Sequence, residues 1–182
     1  MYSAGYVEPV IAMVSTFGPW GHDLGLKALS SVPTSTSGTG TNVAKFQPVH
    51  VPTCCVARRV WWANGATAAG NVSVSIYACT PDGEPGTKIV ECAATAQGTI
   101  NEVQFADITS TVLPPGTYWL ALATSSSSAR IMGTSRGDSS TDAQQSFTQS
   151  SITVGSMPAT ATPSEVSGVT LLVFGFATTA SP

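Results

Sequence analysis

Leu113-Pro-Pro-Gly-Thr-Tyr-Trp-Leu-Ala-Leu-Ala123 is the stretch from which the fold class of this chain can be read. Pro114 and Pro115 fix negative φ, and Gly116 adds backbone freedom, so the stretch opens as a sharp turn. Beyond the turn the residues alternate like a strand: Tyr118, Leu120 and Leu122 point to one face, and Trp119, Ala121 and Ala123 to the other. A turn feeding a half-buried strand, set among other short alternating apolar runs, reads as an all-β protein.

The same rhythm recurs from about Val49. A run at 56–62 precedes an eight-residue loop, 63–70, that contains the turn dipeptide Asn64-Gly65. Val72-Ser-Val-Ser-Ile-Tyr-Ala78 alternates most cleanly, with Val72, Val74, Ile76 and Ala78 expected inward. Runs at 88–95, 103–108, 117–123, 129–134, 152–154 and 169–176 complete about eight predicted strands. Turn signals at this spacing favour a two-sheet β-sandwich, jelly-roll-like, with both inner faces sharing one core. No segment keeps the three-and-four apolar spacing of a helix, and β-branched residues dominate. The last run, Val169-Thr-Leu-Leu-Val-Phe-Gly-Phe176, is apolar on both faces, as in a central strand or a strand covered by another subunit. The polar stretches 135–150 and 156–168 read as exposed loops at one end of the sandwich.

Residues 1–50 differ. They hold Pro9, Pro19, Pro33 and Pro48, a Gly-rich stretch at 17–25 and a Ser/Thr/Gly run at 30–41. This predicts an N-terminal arm, 1–50, with a strand at 7–14 and at most a helical turn or two at 24–29, ahead of a sandwich domain, 51–182. Tyr2, Tyr6, Phe17 and Trp20 give the arm aromatic anchors for docking.

At 182 residues the chain fits one domain with an extended arm. Charged residues make up only 9% of it, against about a quarter in ordinary soluble domains. Such a surface suits a protein covered by copies of itself or by a partner better than a free monomer with an uncharged polar coat. A net charge of −3 with seven scattered basic residues argues against a nucleic-acid partner, because phosphate binding needs clustered Lys and Arg. Arg58-Arg59 is the basic pair, and as strand neighbours its members face opposite sides. No apolar stretch is long enough to span a membrane. The N-terminus does not read as a signal peptide either, since Glu8-Pro9 precede the apolar 10–14 and no Lys or Arg comes before Lys27. The chain is thus expected to be made in a cytoplasm.

Chemistry is thinly represented. His22-Asp23 is the nearest acid-base pair and lacks a nucleophile motif; Glu102 and Asp107 read as solvent-facing strand-end residues. Asp138-Ser-Ser-Thr-Asp142 lacks the acidic series of a calcium loop. Arg136-Gly137-Asp138 and the sequon Asn71-Val72-Ser73 are short matches that need an exported context. No cofactor fingerprint appears, and Cys54, Cys55, Cys79 and Cys92 lack metal-ligand spacing. Cys79 and Cys92 either face each other across a hairpin or are buried free thiols, and the second fits a cytoplasmic origin better. Trp61, Trp62 and Trp119, with Phe174 and Phe176 of the last run, are the candidate contact residues, because aromatic faces anchor interfaces and stack on sugars.

The stretch 58–123 resembles β-sandwich modules of tailed-bacteriophage virion proteins. In such modules a strand ending "ANG" (here Ala63-Asn64-Gly65) precedes "G-N-V-x-V-x-I-Y" (Gly70 to Tyr77) and an "L-P-P-G-T-Y-W-L-A-L" strand (Leu113 to Leu122). The pattern covers less than half the chain, and carbohydrate-binding sandwiches and fibre tips are similar to it. Cys54-Cys55 and the preceding arm depart from it, and it transfers no functional residue. The resemblance implies a non-enzymatic virion component, a capsid decoration (cement) or tail-associated protein. Such a protein would form a homo-oligomer, a trimer included, and contact other virion proteins. The alternative it carries is a glycan-binding module of an adsorption appendage.

Overall fold

A computed structural model describes residues 12–13, 34–134, 147–165 and 171–178. The Arg136–Asp138 and Asp138–Asp142 motifs, His22-Asp23, Tyr2, Tyr6, Phe17 and Trp20 lie outside the described residues.

The described chain is all-β. Its strands are β1 (Ala12–Met13), β2 (Thr34–Ser37), β3 (Val43–Val51), β4 (Cys55–Ala63), β5 (Asn71–Cys79), β6 (Pro85–Glu91), β7 (Thr95–Ala96), β8 (Val103–Leu113), β9 (Gly116–Thr124), β10 (Arg130–Thr134), β11 (Phe147–Gln149), β12 (Ser164–Glu165), β13 (Leu171–Leu172) and β14 (Phe174–Ala177). They form a four-stranded sheet, β1-β14-β4-β8, a three-stranded sheet, β13-β10-β2, and a seven-stranded sheet, β12-β11-β3-β9-β5-β6 with β7 also on β5. The strand pairs are antiparallel.

The four- and seven-stranded sheets pack face to face as a β-sandwich. Val60 and Trp62 of β4 and Phe174 and Phe176 of β14 meet Val72, Val74 and Ile76 of β5 and Leu120 and Leu122 of β9 in one core. The inward row expected for β5 is therefore in place, and the Tyr118, Leu120 and Leu122 face of β9 meets it, with Ala78 and Tyr118 only half-buried.

The opposite face of the seven-stranded sheet is also buried. Phe46, Tyr77, Trp119, Ala121, Ala123 and Phe147 form a second core there, closed by Ile152, Met157 and Ala161. Residues 150–163 thus act as a strap over the sheet, where the sequence suggests an exposed polar loop from 156 onward and a strand at 152–154. Their backbone pairs little: Thr153 bridges Ser156, and Thr160 bridges Thr87 on the outer edge of β6. Short, irregular backbone lets three spaced apolar side chains reach one flat surface.

The sheet also begins earlier than the composition shift suggests. Residues 43–50, assigned to the arm on composition, are most of β3, which pairs β9 from Val43 to Val51 and sits inside the seven-stranded sheet. Pro48 misled because proline is uncommon in inner strands. In this sheet β11 pairs only Ala44, Lys45 and Phe46, so Pro48 lies where β3 has a neighbour on one side, and a residue without N–H is tolerated.

The final apolar run switches sheets. Leu171–Leu172 pairs β10, then Val173 donates its N–H to Met132 O at 2.8 Å and accepts from Ala63 N at 2.9 Å, and Phe174–Ala177 continues between β1 and β4. The apolar character of Phe174–Ala177 on both faces follows from its place between β1 and β4.

Candidate interaction surface

The described aromatic residues among those singled out in the sequence, Trp61, Trp62, Trp119, Phe174 and Phe176, are placed inside the chain's own packing. Trp62 and Phe174 are fully buried, Phe176 and Trp119 nearly so, and Trp61 is 5% exposed. Trp62 donates its indole N–H to Asn64 Oδ1, and Trp119 donates to Gly83 O at 3.1 Å. Trp61 lies between Gly175 of β14 and Phe105 of β8 in the strand register, on the side of the four-stranded sheet away from the core. Its Nε1 is buried without a hydrogen-bond partner among the described residues.

Exposed apolar residues sit elsewhere, mostly on β8. Val103 (53% exposed), Phe105 (48%) and Val112 (60%) project from this strand, while Ala106 and Ile108 turn inward against the core. Among the described residues β8 ends the four-stranded sheet and pairs β4 alone. The pairing is irregular: Ala57 faces Thr111 and Arg59 faces Asp107, so β8 holds more residues than β4 over this interval and bulges at 108–110. Thr109 and Ser110 are accordingly both exposed.

Charges are arranged around that strand. The Arg59 guanidinium lies 5.0 Å from the centre of the Phe105 ring, a cation–π contact that holds the ring on the outer surface. Arg58 is exposed, and its Nη1 comes 3.5 Å from Ser110 Oγ, so its guanidinium overhangs β8 near the bulge. Glu102, exposed at the opposite end, precedes the strand. Asp107 is exposed as well, as expected for a solvent-facing carboxylate.

The buried polar groups found elsewhere fasten the strap. Lys88 Nζ contacts Glu91 Oε2 at 2.7 Å and the carbonyl of Met157 at 2.5 Å, and Met157 N donates to both Glu91 carboxylate oxygens. Tyr77 donates its hydroxyl to Pro158 O at 2.9 Å. Burial, with Glu91 nearby, raises the Tyr77 phenol well above its ordinary range. Lys45 is half-buried on β3, and desolvation pulls its ammonium down. Lys88, Glu91 and Tyr77 hold the strap and sheet together.

Cys54, Cys55, Cys79 and Cys92 are all free thiols, so the hairpin disulfide does not form in this structure. Cys92 is buried, and desolvation pushes its thiol up to about 11, partly offset by the Val74 N–H that donates to its sulfur. Among the described residues, no three His, Cys, Asp or Glu side chains are grouped to hold a metal ion. No helix among them is long and apolar enough to cross a membrane.

Sequence reasoning missed Phe105 and Val112. In Val103-Gln-Phe-Ala-Asp-Ile-Thr109 both alternating rows carry apolar residues, and only the sheet topology tells which row faces the core. Comparison with family models, with curated proteins and with solved structures finds no match to this chain.

Proposed function

We propose that this chain is a non-enzymatic structural protein that works by assembling with copies of itself. The observation that carries the reading is the exposed apolar row of β8 at a sheet edge, on a chain in which only 9% of residues are charged. Apolar area left at an open edge favours association, at roughly 25 cal/mol per Å² before ordering costs. A seven-stranded sheet buried on both faces supplies the rigid block that such a role needs.

The specific form of this reading is a component of a tailed-bacteriophage virion, either a capsid decoration protein or a tail-associated protein. It rests on the resemblance of residues 58–123 to virion sandwich modules. Its test is mass spectrometry of purified phage particles whose genome encodes this chain. Stoichiometric copies in the particle support it, and a chain recovered only from the soluble lysate contradicts it.

The glycan-binding alternative needs an open aromatic face ringed by hydrogen-bonding groups. Trp61, Trp62 and Trp119 are buried, which leaves Phe105, with Arg59 over its ring, as the exposed aromatic of the described surface. A glycan array is expected to show no saturable binding; saturable binding abolished by Phe105→Ala favours the alternative.

A further inference from the structure

We infer that β8 is the seam of a twofold-symmetric pair, in which residues 103–107 of two copies align antiparallel and join their four-stranded sheets into one continuous sheet. The inference rests on the self-assembly reading and names the surface that performs it.

An edge strand presents a row of unpaired N–H and C=O groups, and proteins that must stay apart usually blunt such edges with lysine, proline, inward charges or bulges. The bulge of β8 lies at 108–110, beyond the segment in question. Val103-Gln-Phe-Ala-Asp107 contains no lysine and no proline, and its one charge, Asp107, points outward. The other edge of the sandwich beside it is already covered, because β6 exchanges backbone hydrogen bonds with the strap: Lys88 N to Ala159 O at 2.8 Å and Ala161 N to Gly86 O at 2.9 Å.

Charge placement selects a second copy as the occupant. A twofold axis makes the contact isologous and the strands antiparallel. With the axis at Phe105, each Phe105 meets its counterpart, Val103 faces the partner's Asp107, and Glu102 comes opposite the partner's Ile108. The guanidinium of the partner's Arg58 overhangs the adjoining bulge at Ser110, two residues farther along, so Glu102 and that guanidinium lie at the same end of the seam. An acid before the strand and a base beside its far end are thus brought together twice by antiparallel self-pairing, and parallel pairing keeps them apart. The apolar side chains of Val103 and Phe105 are covered in the same step.

The test compares the full chain with Phe105→Lys, Arg58→Glu, Glu102→Arg and the Arg58→Glu/Glu102→Arg double variant by light scattering and by the concentration dependence of mass. Wild type is expected to reach at least a two-chain mass. Phe105→Lys is expected to lower it to one chain with an unchanged circular dichroism spectrum. Each single charge variant should weaken association on the order of fivefold, and the double variant should recover it. Should Phe105→Lys fail to fold, the charge cycle decides alone. An associating wild type whose mass ignores Phe105→Lys, or charge variants whose effects add without recovery, overturns the seam and leaves self-assembly standing. A wild type that remains a single chain at every concentration overturns both.

Discussion

Trp62 donates its indole N–H to the side-chain oxygen of Asn64 at 2.9 Å, across the last two residues before the turn at Gly65. Asn64 in turn donates from Nδ2 to Thr99 O at 3.0 Å and to Gln104 Oε1 at 3.1 Å, and Gln104 holds Gly98 N and Ala96 O. Asn64 is 1% exposed. One buried amide therefore ties β4 to the loop that leads into β8, and positions the edge strand proposed as the assembly surface. Low local dielectric makes such a network strong when complete and costly when broken.

Asn64→Leu is expected to destabilise the fold by about 2–4 kcal/mol, because it strands the Trp62 N–H and removes the donor to Thr99 O and one of the two donors to Gln104 Oε1. Trp62→Phe should cost clearly more than Trp61→Phe, since the Trp61 N–H has no partner among the described residues to lose. Urea unfolding of the three variants checks this. Equal costs for the two tryptophans would contradict the assignment.

The strap supplies a second expectation. Tyr77→Phe removes the hydroxyl that holds Pro158 O and should cost about 1 kcal/mol. Gly155 has φ of +81°, and an added Cβ there would lie 2.6 Å from Ala94 N. Gly155→Ala should therefore cost about 1–3 kcal/mol. Hydrogen exchange should show residues 150–163 opening in both variants, while β4 and β9 keep their protection. Uniform loss of protection across the chain would mean that the strap is not a separable cover.

Truncation distinguishes an arm from a strand. A chain beginning at Thr34 keeps β3 and is expected to unfold cooperatively on heating. A chain beginning at Pro52 lacks the strand between β11 and β9 and should show no cooperative transition, because Phe46 and Val49 are missing from the two cores. Cooperative melting of the 52–182 chain near the temperature of the full chain would show β3 to be dispensable.

Alkaline pH should weaken the fold through Cys92. Its thiol ordinarily titrates near 9.0 and is held at about 11 by burial, so the folded state binds the proton more tightly than the unfolded state. That contribution is complete below pH 9 and declines as pH rises toward 11. Lys45, whose ammonium is pulled down by burial, acts in the opposite direction and is common to wild type and variant. Cys92→Ala should be less stable at neutral pH through lost packing, yet lose less stability between pH 9 and 11 in chemical denaturation. Parallel slopes for the two proteins would refute it. Cys54, which is exposed, should alkylate in the native state well before Cys92.

Much of this architecture is legible in the sequence. The two-faced alternation of β5 and β9 and the Pro114-Pro115-Gly116 turn mark strands directly, because period-two patterning is a local property. The fate of the second face is not local. Ser73 and Ser75 look solvent-facing, yet Ser73 Oγ accepts from Gly155 N at 3.0 Å, and Ser75 Oγ lies 3.2 Å from Met157 Sδ under the strap. Small polar residues suit water and a thin protein cover alike. Trp119, Ala121 and Ala123 carried the available signal, since an apolar outer row on β9 needs a cover. The tryptophans are ambiguous for a related reason: tryptophan content marks large buried area as readily as an interface, and in this fold Trp62 and Trp119 anchor the two cores.

Sedimentation equilibrium of the full chain from dilute to concentrated solution is the decisive measurement of self-assembly. The average mass should climb with concentration from that of one chain to that of two or more. A mass that stays at one chain throughout would contradict a self-assembling role.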